Sequence, residues 1–358
     1  MKTKQFLVST FVLVLAFTSC KKDDPETPAA TTPVAAYDNG VFITNEGPYG
    51  TGTGTISFYG RSTSSVNEDI FQVKNNYPLG NVVQSMEIFN GKGYIVVNNA
   101  GKVEVVDAGS FATAGAITGL TSPRYFLGVD NSKAYISEWG TGGVSGAVKV
   151  VDLNTKTVTA TINTGKGAEG MVKYGNNVYV ACSGGFGNDS VVTVINSTTN
   201  NVVSTITVGA NPKSIKVDAN GKIWVLCAGQ WDINYTALEK TGKLVRIDPA
   251  TNTVDLSLTF TSTYSQPFNL VTNNAKTMLY YTYDGKVYSQ SSTSSALSTT
   301  AVINRNFYGL AIDPANDYFY VSDAGNFSSN GKVLRYNATG TVVDSFTVGI
   351  VPGNFCFK

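Results

Sequence analysis

The sequence contains no histidine, and this limits the chemistry that its 358 residues can perform. Without an imidazole, Ser-His-Asp catalysis, Cys-His catalysis and histidine-ligated metal sites are excluded. An enzyme would have to use carboxylates, Lys, Arg or Tyr. The carboxylates that could serve lie in separate loops without recurring metal-ligand spacing: Glu138, Glu169, Asp189 and Asp232. We therefore predict that the protein is not an enzyme and uses no metal or cofactor.

Aromatic residues recur in Gly-rich loops, and these loops are the strongest indication of function. The longest loops span residues 45–54, 138–146, 183–190, 228–242 and 323–331, and each contains an aromatic residue. Exposed aromatic side chains that cluster on one face normally mark a binding surface, because they bury a large area with little loss of rotamer entropy. The predicted ligand-binding residues are Tyr49, Arg124, Tyr125, Trp139, Glu169, Phe186, Gln230, Trp231, Tyr235, Tyr264, Phe268, Tyr308 and Phe327. Other polar residues of these loops, among them Glu46 and Lys213, could orient a ligand.

A degenerate repeat supplies the elements that must hold these loops. Segments 148–165, 191–209 and 243–260 each read as a strand, a turn built on Asp or Asn, and a second strand, the pattern of a β-hairpin. A further strand pair precedes each hairpin, so that one unit has four strands. The turn of the hairpin can be found seven times, which indicates seven units; it lies at Gly60, Asp107, Asp152, Asn196, Asp248, Ser291 and Asn337. A four-stranded unit with a period of roughly 45 residues is typical of a propeller blade.

We therefore predict an all-β fold, a seven-bladed β-propeller with four-stranded antiparallel blades over residues 39–358. The last segment, residues 351–358, begins a new inner strand, whereas the first unit lacks that strand. The C-terminal strand is thus expected to close blade one and to remove the free sheet edges. A two-sheet sandwich is the competing architecture, but it would not require such even spacing.

The N-terminal residues are typical of an export signal. Two lysines precede an apolar run over residues 6–17, which is too short to cross a bilayer. Cys20 follows small residues in a segment that resembles a bacterial lipobox. We expect a signal peptide over residues 1–19, lipidation of Cys20, and a flexible tether, rich in Pro, Ala and Thr, over residues 20–38. No other segment is long enough to predict a transmembrane helix.

The charged residues after the cysteine refine the predicted localisation. Lys21-Lys22-Asp23-Asp24 resembles the surface-export tag of Bacteroidetes lipoproteins. The predicted location is therefore the outer membrane, with the lipid-anchored protein exposed at the cell surface. The chain has 26 basic against 25 acidic residues. This balance gives no electrostatic argument for binding to nucleic acid.

Three cysteines remain besides Cys20. Cys182 and Cys227 occupy equivalent places in adjacent units, and Cys356 lies in the closing strand. Burial as small apolar residues explains them without a disulfide, which is the favoured interpretation. A disulfide between two of them is the alternative.

Several segments resemble a known class of propellers. VYVACSG, IWVLCAG and the hairpins resemble the YVTN repeat class, over most of the chain after the tether. GVFITNEGPYGTGTGTISFY, together with residues 80–107, looks like the surface propeller lipoproteins of Bacteroidetes that capture cobalamin. The resemblance implies a propeller that sits over a TonB-dependent outer-membrane transporter and passes vitamin B12, or a related corrinoid, to it. Cobalamin would then be a transported ligand, and its cobalt would keep its own lower ligand because the protein has no histidine.

Two other functions fit the same loops. A surface propeller could bind a glycan or a peptide, with sugar faces stacked on Trp139 and Trp231. It could also be a protein-interaction scaffold in an outer-membrane complex. The residues alone do not choose between these ligands.

Overall fold

The computed structural model describes residues 36–358. Seven four-stranded antiparallel sheets form a closed ring, which confirms the predicted seven-bladed propeller. In each sheet the inner strand lies at a central channel and the following strands lie successively outward. Within these residues no helix is long and apolar enough to cross a membrane. The predicted signal peptide, Cys20 and nearly all of the predicted tether lie outside the described residues.

The first four blades are built in chain order. Blade one contains β1 (Gly40–Asn45), β2 (Thr55–Gly60) and β3 (Ser65–Asn67), and the helix α1 (Ile70–Asn75) follows it. Blade two contains β4 (Val83–Phe89), β5 (Lys92–Val97), β6 (Lys102–Asp107) and β7 (Thr113–Ile117). Blade three contains β8 (Pro123–Gly128), β9 (Lys133–Glu138), β10 (Ala147–Asp152) and β11 (Thr157–Asn163), with a 3₁₀ turn at Thr141–Gly143. Blade four contains β12 (Ala168–Tyr174), β13 (Asn177–Cys182), β14 (Val191–Asn196) and β15 (Asn201–Thr207).

The last three blades repeat this plan with one insertion. Blade five contains β16 (Pro212–Val217), β17 (Ile223–Cys227), a small inserted hairpin of β18 (Gln230–Trp231) and β19 (Leu238–Lys240), then β20 (Lys243–Asp248) and β21 (Thr253–Thr259). Blade six contains β22 (Phe268–Thr272), β23 (Met278–Tyr283), β24 (Lys286–Ser291) and β25 (Ala301–Ile303). Blade seven contains β26 (Gly309–Ile312), β27 (Phe319–Asp323), β28 (Asn330–Tyr336) and β29 (Val342–Ile350). The final strand, β30 (Pro352–Phe357), pairs with β1 and completes blade one.

The turns between the third and fourth strands lie where the sequence placed them. Asp107, Asp152 and Asn196 end their strands, and each side chain accepts a hydrogen bond from a backbone N–H two residues further on, at 2.8–3.1 Å. An Asp or Asn side chain can close such a turn locally, which is why these residue types mark it in the sequence.

The core lies between the blades. Seven clusters of buried apolar residues are present in the described chain, one at each interface between neighbouring blades. Trp224 is fully buried at the interface of blades five and six, and its indole N–H donates to Asp218 Oδ2 at 2.9 Å. Cys182, Cys227 and Cys356 are buried in three different clusters as free thiols.

The join between blades seven and one is reinforced by an ion pair. The Arg61 guanidinium donates two hydrogen bonds to Asp313, Nε to Oδ2 at 2.6 Å and Nη2 to Oδ1 at 2.9 Å. A third hydrogen bond from Arg61 Nη1 reaches the Lys358 carbonyl at 2.7 Å. Asp313 is completely buried, so the pair is held away from water. Blade one is thereby attached both to its own last strand and to its neighbour.

The two faces of the ring differ in what they carry. Inner strands begin on one face, here called the mouth face, and end on the other, the base face. Gly40, at the start of β1, pairs with Lys358 on the base face. Tyr37 packs there against Phe42, Phe58 and Phe111. The chain therefore enters the propeller from the base face, and the long loops lie on the mouth face.

Candidate functional site at the mouth of the channel

The inner strands are irregular where they begin. Their register against the second strand shifts within the first residues of six blades, at β4, β8, β12, β16, β22 and β30. Such a β-bulge places an unpaired residue in the strand and changes the direction of its side chain. The residues at the equivalent position of all seven blades are here called the mouth ring: Gln84, Arg124, Glu169, Lys213, Phe268, Tyr308 and Gly353.

Arg124 and Glu169 form the most buried part of the mouth ring. Arg124 Nε lies 3.2 Å from Glu169 Oε2, and another of its nitrogens donates to Gln84 Oε1. The Arg124 guanidinium lies 4.1 Å from the centre of the Trp139 ring, a cation–π contact. Trp139 Nε1 donates to the other Glu169 oxygen at 3.1 Å. Both carboxylate oxygens are thus occupied, and these four side chains hold one another in place.

Glu46 fills the gap that glycine leaves in the mouth ring. A Cβ at Gly353 would lie only 2.8 Å from Glu46 Oε1, so the Glu46 carboxylate occupies that space. The Tyr308 hydroxyl donates to the same oxygen at 2.9 Å. Gly47 has φ +79°, and a Cβ there would lie 2.4 Å from the Thr53 carbonyl oxygen, so this turn requires glycine. The segment Asn45-Glu46-Gly47, here called the NEG segment, therefore places a carboxylate at the mouth.

Enclosure changes the acidity of these groups. Burial raises the pKa of the Glu46 carboxyl, although the Tyr308 hydrogen bond and the charge of Arg124 act in the opposite direction. Burial, and then the charge of Glu169, raise the pKa of Tyr125 to about 12. Burial and the charge of Glu46 also raise the pKa of Tyr308. Both hydroxyls therefore keep their protons at neutral pH, and that of Tyr308 donates to Glu46.

A cavity of about 910 Å³ opens at the mouth ring and continues along the channel. Its wall contains six of the predicted binding residues: Arg124, Tyr125, Trp139, Glu169, Phe268 and Tyr308. A second cavity of about 430 Å³ lies beside it between blades six and seven. Phe268 and Tyr308 line both cavities, and Phe327 lines the second. The mouth thus combines charged, amide and aromatic groups.

The other predicted binding residues are on the mouth face but outside both cavities. They are Tyr49, Phe186, Gln230, Trp231, Tyr235 and Tyr264. Phe186 contacts Trp139 edge-on, with ring centres 5.2 Å apart. Tyr235 and Tyr264 are 79% and 73% exposed, so they are available to a ligand wider than the channel.

Sequence reasoning missed Gln84 and Asn269, which also line the central cavity. One signal could have found the mouth ring. In four blades the ring residue directly follows a proline, as Arg124 follows Pro123 and Lys213 follows Pro212. Aligning the seven units on this position would have placed Gln84 in the ring.

Sequence comparison identifies the family. Residues 39–351 match the family described as "Domain of unknown function (DUF5074)". The chain belongs to this family. No curated protein matches the sequence.

Solved structures share the fold of this DUF5074 protein at low identity. A quinonprotein alcohol dehydrogenase-like protein from Bacteroides thetaiotaomicron is 15% identical, with TM-score 0.63 over 90% of this chain and 78% of its own. The periplasmic gluconolactonase PpgL of Pseudomonas aeruginosa is 12% identical, with TM-score 0.64 over 88% and 98%. A putative 6-phosphogluconolactonase from Bacteroides fragilis is 12% identical, with TM-score 0.60 over 90% and 99%.

These neighbours correct one prediction. The sequence led us to predict that the protein is not an enzyme. That prediction is wrong, because propellers of this shape include proteins named as lactonases, and enzymes are therefore not excluded. At such identities the likeness shows the fold alone. The absence of histidine excludes some mechanisms, whereas carboxylate chemistry stays open at the mouth.

Proposed function

We propose that this DUF5074 protein captures a corrinoid such as cobalamin at the mouth face and passes it to a TonB-dependent transporter of the outer membrane. The observation that carries the proposal is the mouth ring, in which neighbouring blades present charged, amide and aromatic side chains around one opening. The resemblance of the NEG segment to cobalamin-capturing lipoproteins supports the choice of ligand. Lipidation of Cys20 would anchor the protein at the cell surface.

The chemistry of a corrinoid suits this surface. Pockets of about 300–1,000 Å³ enclose drug-sized ligands, so a corrinoid would lie over the mouth rather than inside a cavity of about 910 Å³. Its peripheral amides could pair with Gln84, Lys213 and Asn269, which line the opening. Its broad apolar rim could contact exposed aromatics such as Tyr235 and Tyr264.

Calorimetric titration of the full chain in detergent with cyanocobalamin tests the proposal. We expect saturable binding that weakens about tenfold in Lys213→Met and in Tyr264→Ala, each of which removes a contact at the mouth. Tyr174→Ala is the matched control, because Tyr174 is also exposed but ends an inner strand on the base face. No heat with cyanocobalamin, or equal affinity in all three variants, would contradict the proposal.

The transporter partner needs its own test. We expect the protein to co-purify from outer membranes with a TonB-dependent transporter, and cyanocobalamin uptake to fall when the gene is deleted. Unchanged uptake in the deletion strain would contradict delivery to the transporter, and only the capture of the ligand would still be proposed.

The glycan alternative is weakened at one of its two stacking residues. Arg124 and Phe186 already pack against the Trp139 ring. Trp231 lies in the inserted hairpin, outside both cavities. A sugar would have to displace existing contacts to stack on Trp139, and Trp231 is not part of the central cavity.

Hydrolysis of a lactone is the second candidate, and Glu46 favours it. A carboxyl with a raised pKa at the wall of a cavity is the type of group that can act as a general acid or base. A pH-stat assay with δ-gluconolactone, corrected for the spontaneous reaction, tests this. Catalysis that disappears in Glu46→Gln would support it, and a rate equal to the spontaneous one in the wild type would exclude this substrate.

A further inference from the structure

Two charged residues line the channel below the mouth ring. Glu87 in β4 and Lys216 in β16 occupy equivalent positions, since each is opposite an aromatic residue of the second strand, Tyr94 and Trp224. The corresponding residues of the other five blades are Leu127, Val172, Val271, Ala311 and Cys356. Because five of seven blades carry an apolar or weakly polar residue there, the fold does not require charge at this level.

Neither charge has a protein partner within the described part of the chain. No ion pair within 4.0 Å engages Glu87 or Lys216. Partial desolvation by the channel wall raises the pKa of Glu87 and lowers the pKa of Lys216, and each charge partly offsets the effect on the other. Both residues thus line the same cavity without forming an ion pair with each other. Glu87 is exposed and Lys216 is half-buried, so both charges are accessible to a ligand that enters the channel.

The two charges lie on different sides of the channel. Blades two and five are three steps apart in a ring of seven, so Glu87 and Lys216 lie on nearly opposite sides of the channel. Lys276 lines the same end of the cavity, and its carbonyl accepts a hydrogen bond from Ala219 N at 3.0 Å, which holds it beside β16. One side of the channel is therefore negative and the other positive.

We propose that the lower channel is a second binding site, which takes a small zwitterionic amino acid with its carboxylate at Lys216 and its ammonium at Glu87. A ligand with two opposite charges satisfies both protein charges at once, whereas a simple anion or cation satisfies only one. Charge pairs formed in an enclosed site are also less screened than those in open solvent. This site is separate from the mouth ring and does not depend on corrinoid capture.

A series of ω-amino acids tests the site and measures its length. Glycine, 4-aminobutyrate and 6-aminohexanoate, titrated into the full chain, separate the two charges by increasing distances, and acetate and butylamine carry one charge each. We expect one member of the series to bind best, with affinity at least about tenfold above that of either single-charge probe. Equal or undetectable binding of all five probes would overturn the proposal.

Variants assign that binding to the two residues. Glu87→Gln and Lys216→Met should each weaken the best ligand about tenfold. Glu68→Gln and Lys74→Met, which change exposed residues outside the channel, should not. The exchange Glu87→Lys with Lys216→Glu should restore binding, since a zwitterion can turn around. Unchanged affinity in both single variants would place the ligand elsewhere, and cyanocobalamin binding that persists in them would show that the two sites are independent.

Discussion

Arg124 and Glu169 form an ion pair 3.2 Å long, although they are 45 residues apart in the sequence. Their separation is close to one repeat unit, and both residues hold the same position in neighbouring blades. The pair therefore joins blade three to blade four at the opening of the channel. The residues that form the wall of the candidate site also hold the blades together there.

Loss of Arg124 should destabilise the protein strongly. Glu169 is 4% exposed, so Arg124→Met would leave a buried carboxylate without its cation. We expect the free energy of unfolding to fall by about 3–5 kcal/mol, measured by urea denaturation. The control is Arg305→Met, since Arg305 and its partner Asp323 are both well exposed, and such a pair contributes about 0–1 kcal/mol. A similar loss in both variants would show that burial of the pair is not the cause.

The closing strand should be required for a monomeric ring. A chain ending at Val351 would lack β30 and would leave the β1 edge, from Val41 to Asn45, unpaired. Because a free edge pairs readily with other strands, we expect oligomers in light scattering and rapid proteolysis. Replacement of Lys358 alone is the control, since it leaves β30 intact. A monomeric, protease-resistant truncated chain would contradict this role of β30.

Stability should depend on pH through Glu46. Its pKa is raised above the ordinary value of 4.5 because burial disfavours the carboxylate. The folded state then holds the proton more tightly than the unfolded state, so this contribution to stability is present at low pH and is lost as pH rises through the raised pKa. The free energy of unfolding of Glu46→Gln, relative to that of the wild type, should therefore be higher at about pH 7 than at about pH 4. Exposed Glu68→Gln should show no such difference, and a flat result for Glu46→Gln would disprove the assignment.

Lipidation of Cys20 predicts a simple change of location. Cys20→Ala should release the protein from the membrane fraction, because it removes the only attachment that we propose. Fractionation with immunoblotting measures this, and Cys227→Ala, which changes a buried thiol of the propeller, is the control. Continued membrane association of the Cys20→Ala protein would refute an anchor at this residue.

The sequence by itself determined the number of blades, the turns and the closing strand. These features are local, since an Asp or Asn turn is stabilised within two or three residues and strand alternation repeats within each unit. The turns at Asp107 and Asn196 could therefore be predicted from the sequence alone. The sequence also placed the aromatic loops on one face, because alternate connections of a meandering sheet share a side.

Only the tertiary structure decided which side chains meet at the mouth. In six of the seven blades a bulge near the ring residue shifts the inner strand against its neighbour, and that register depends on cross-strand pairing. The space at Gly353 is filled by Glu46, which is 307 residues earlier in the chain and arrives there only when β30 pairs with β1. Likewise, Glu87 and Lys216 became opposite charges of one channel only when seven blades closed into a ring.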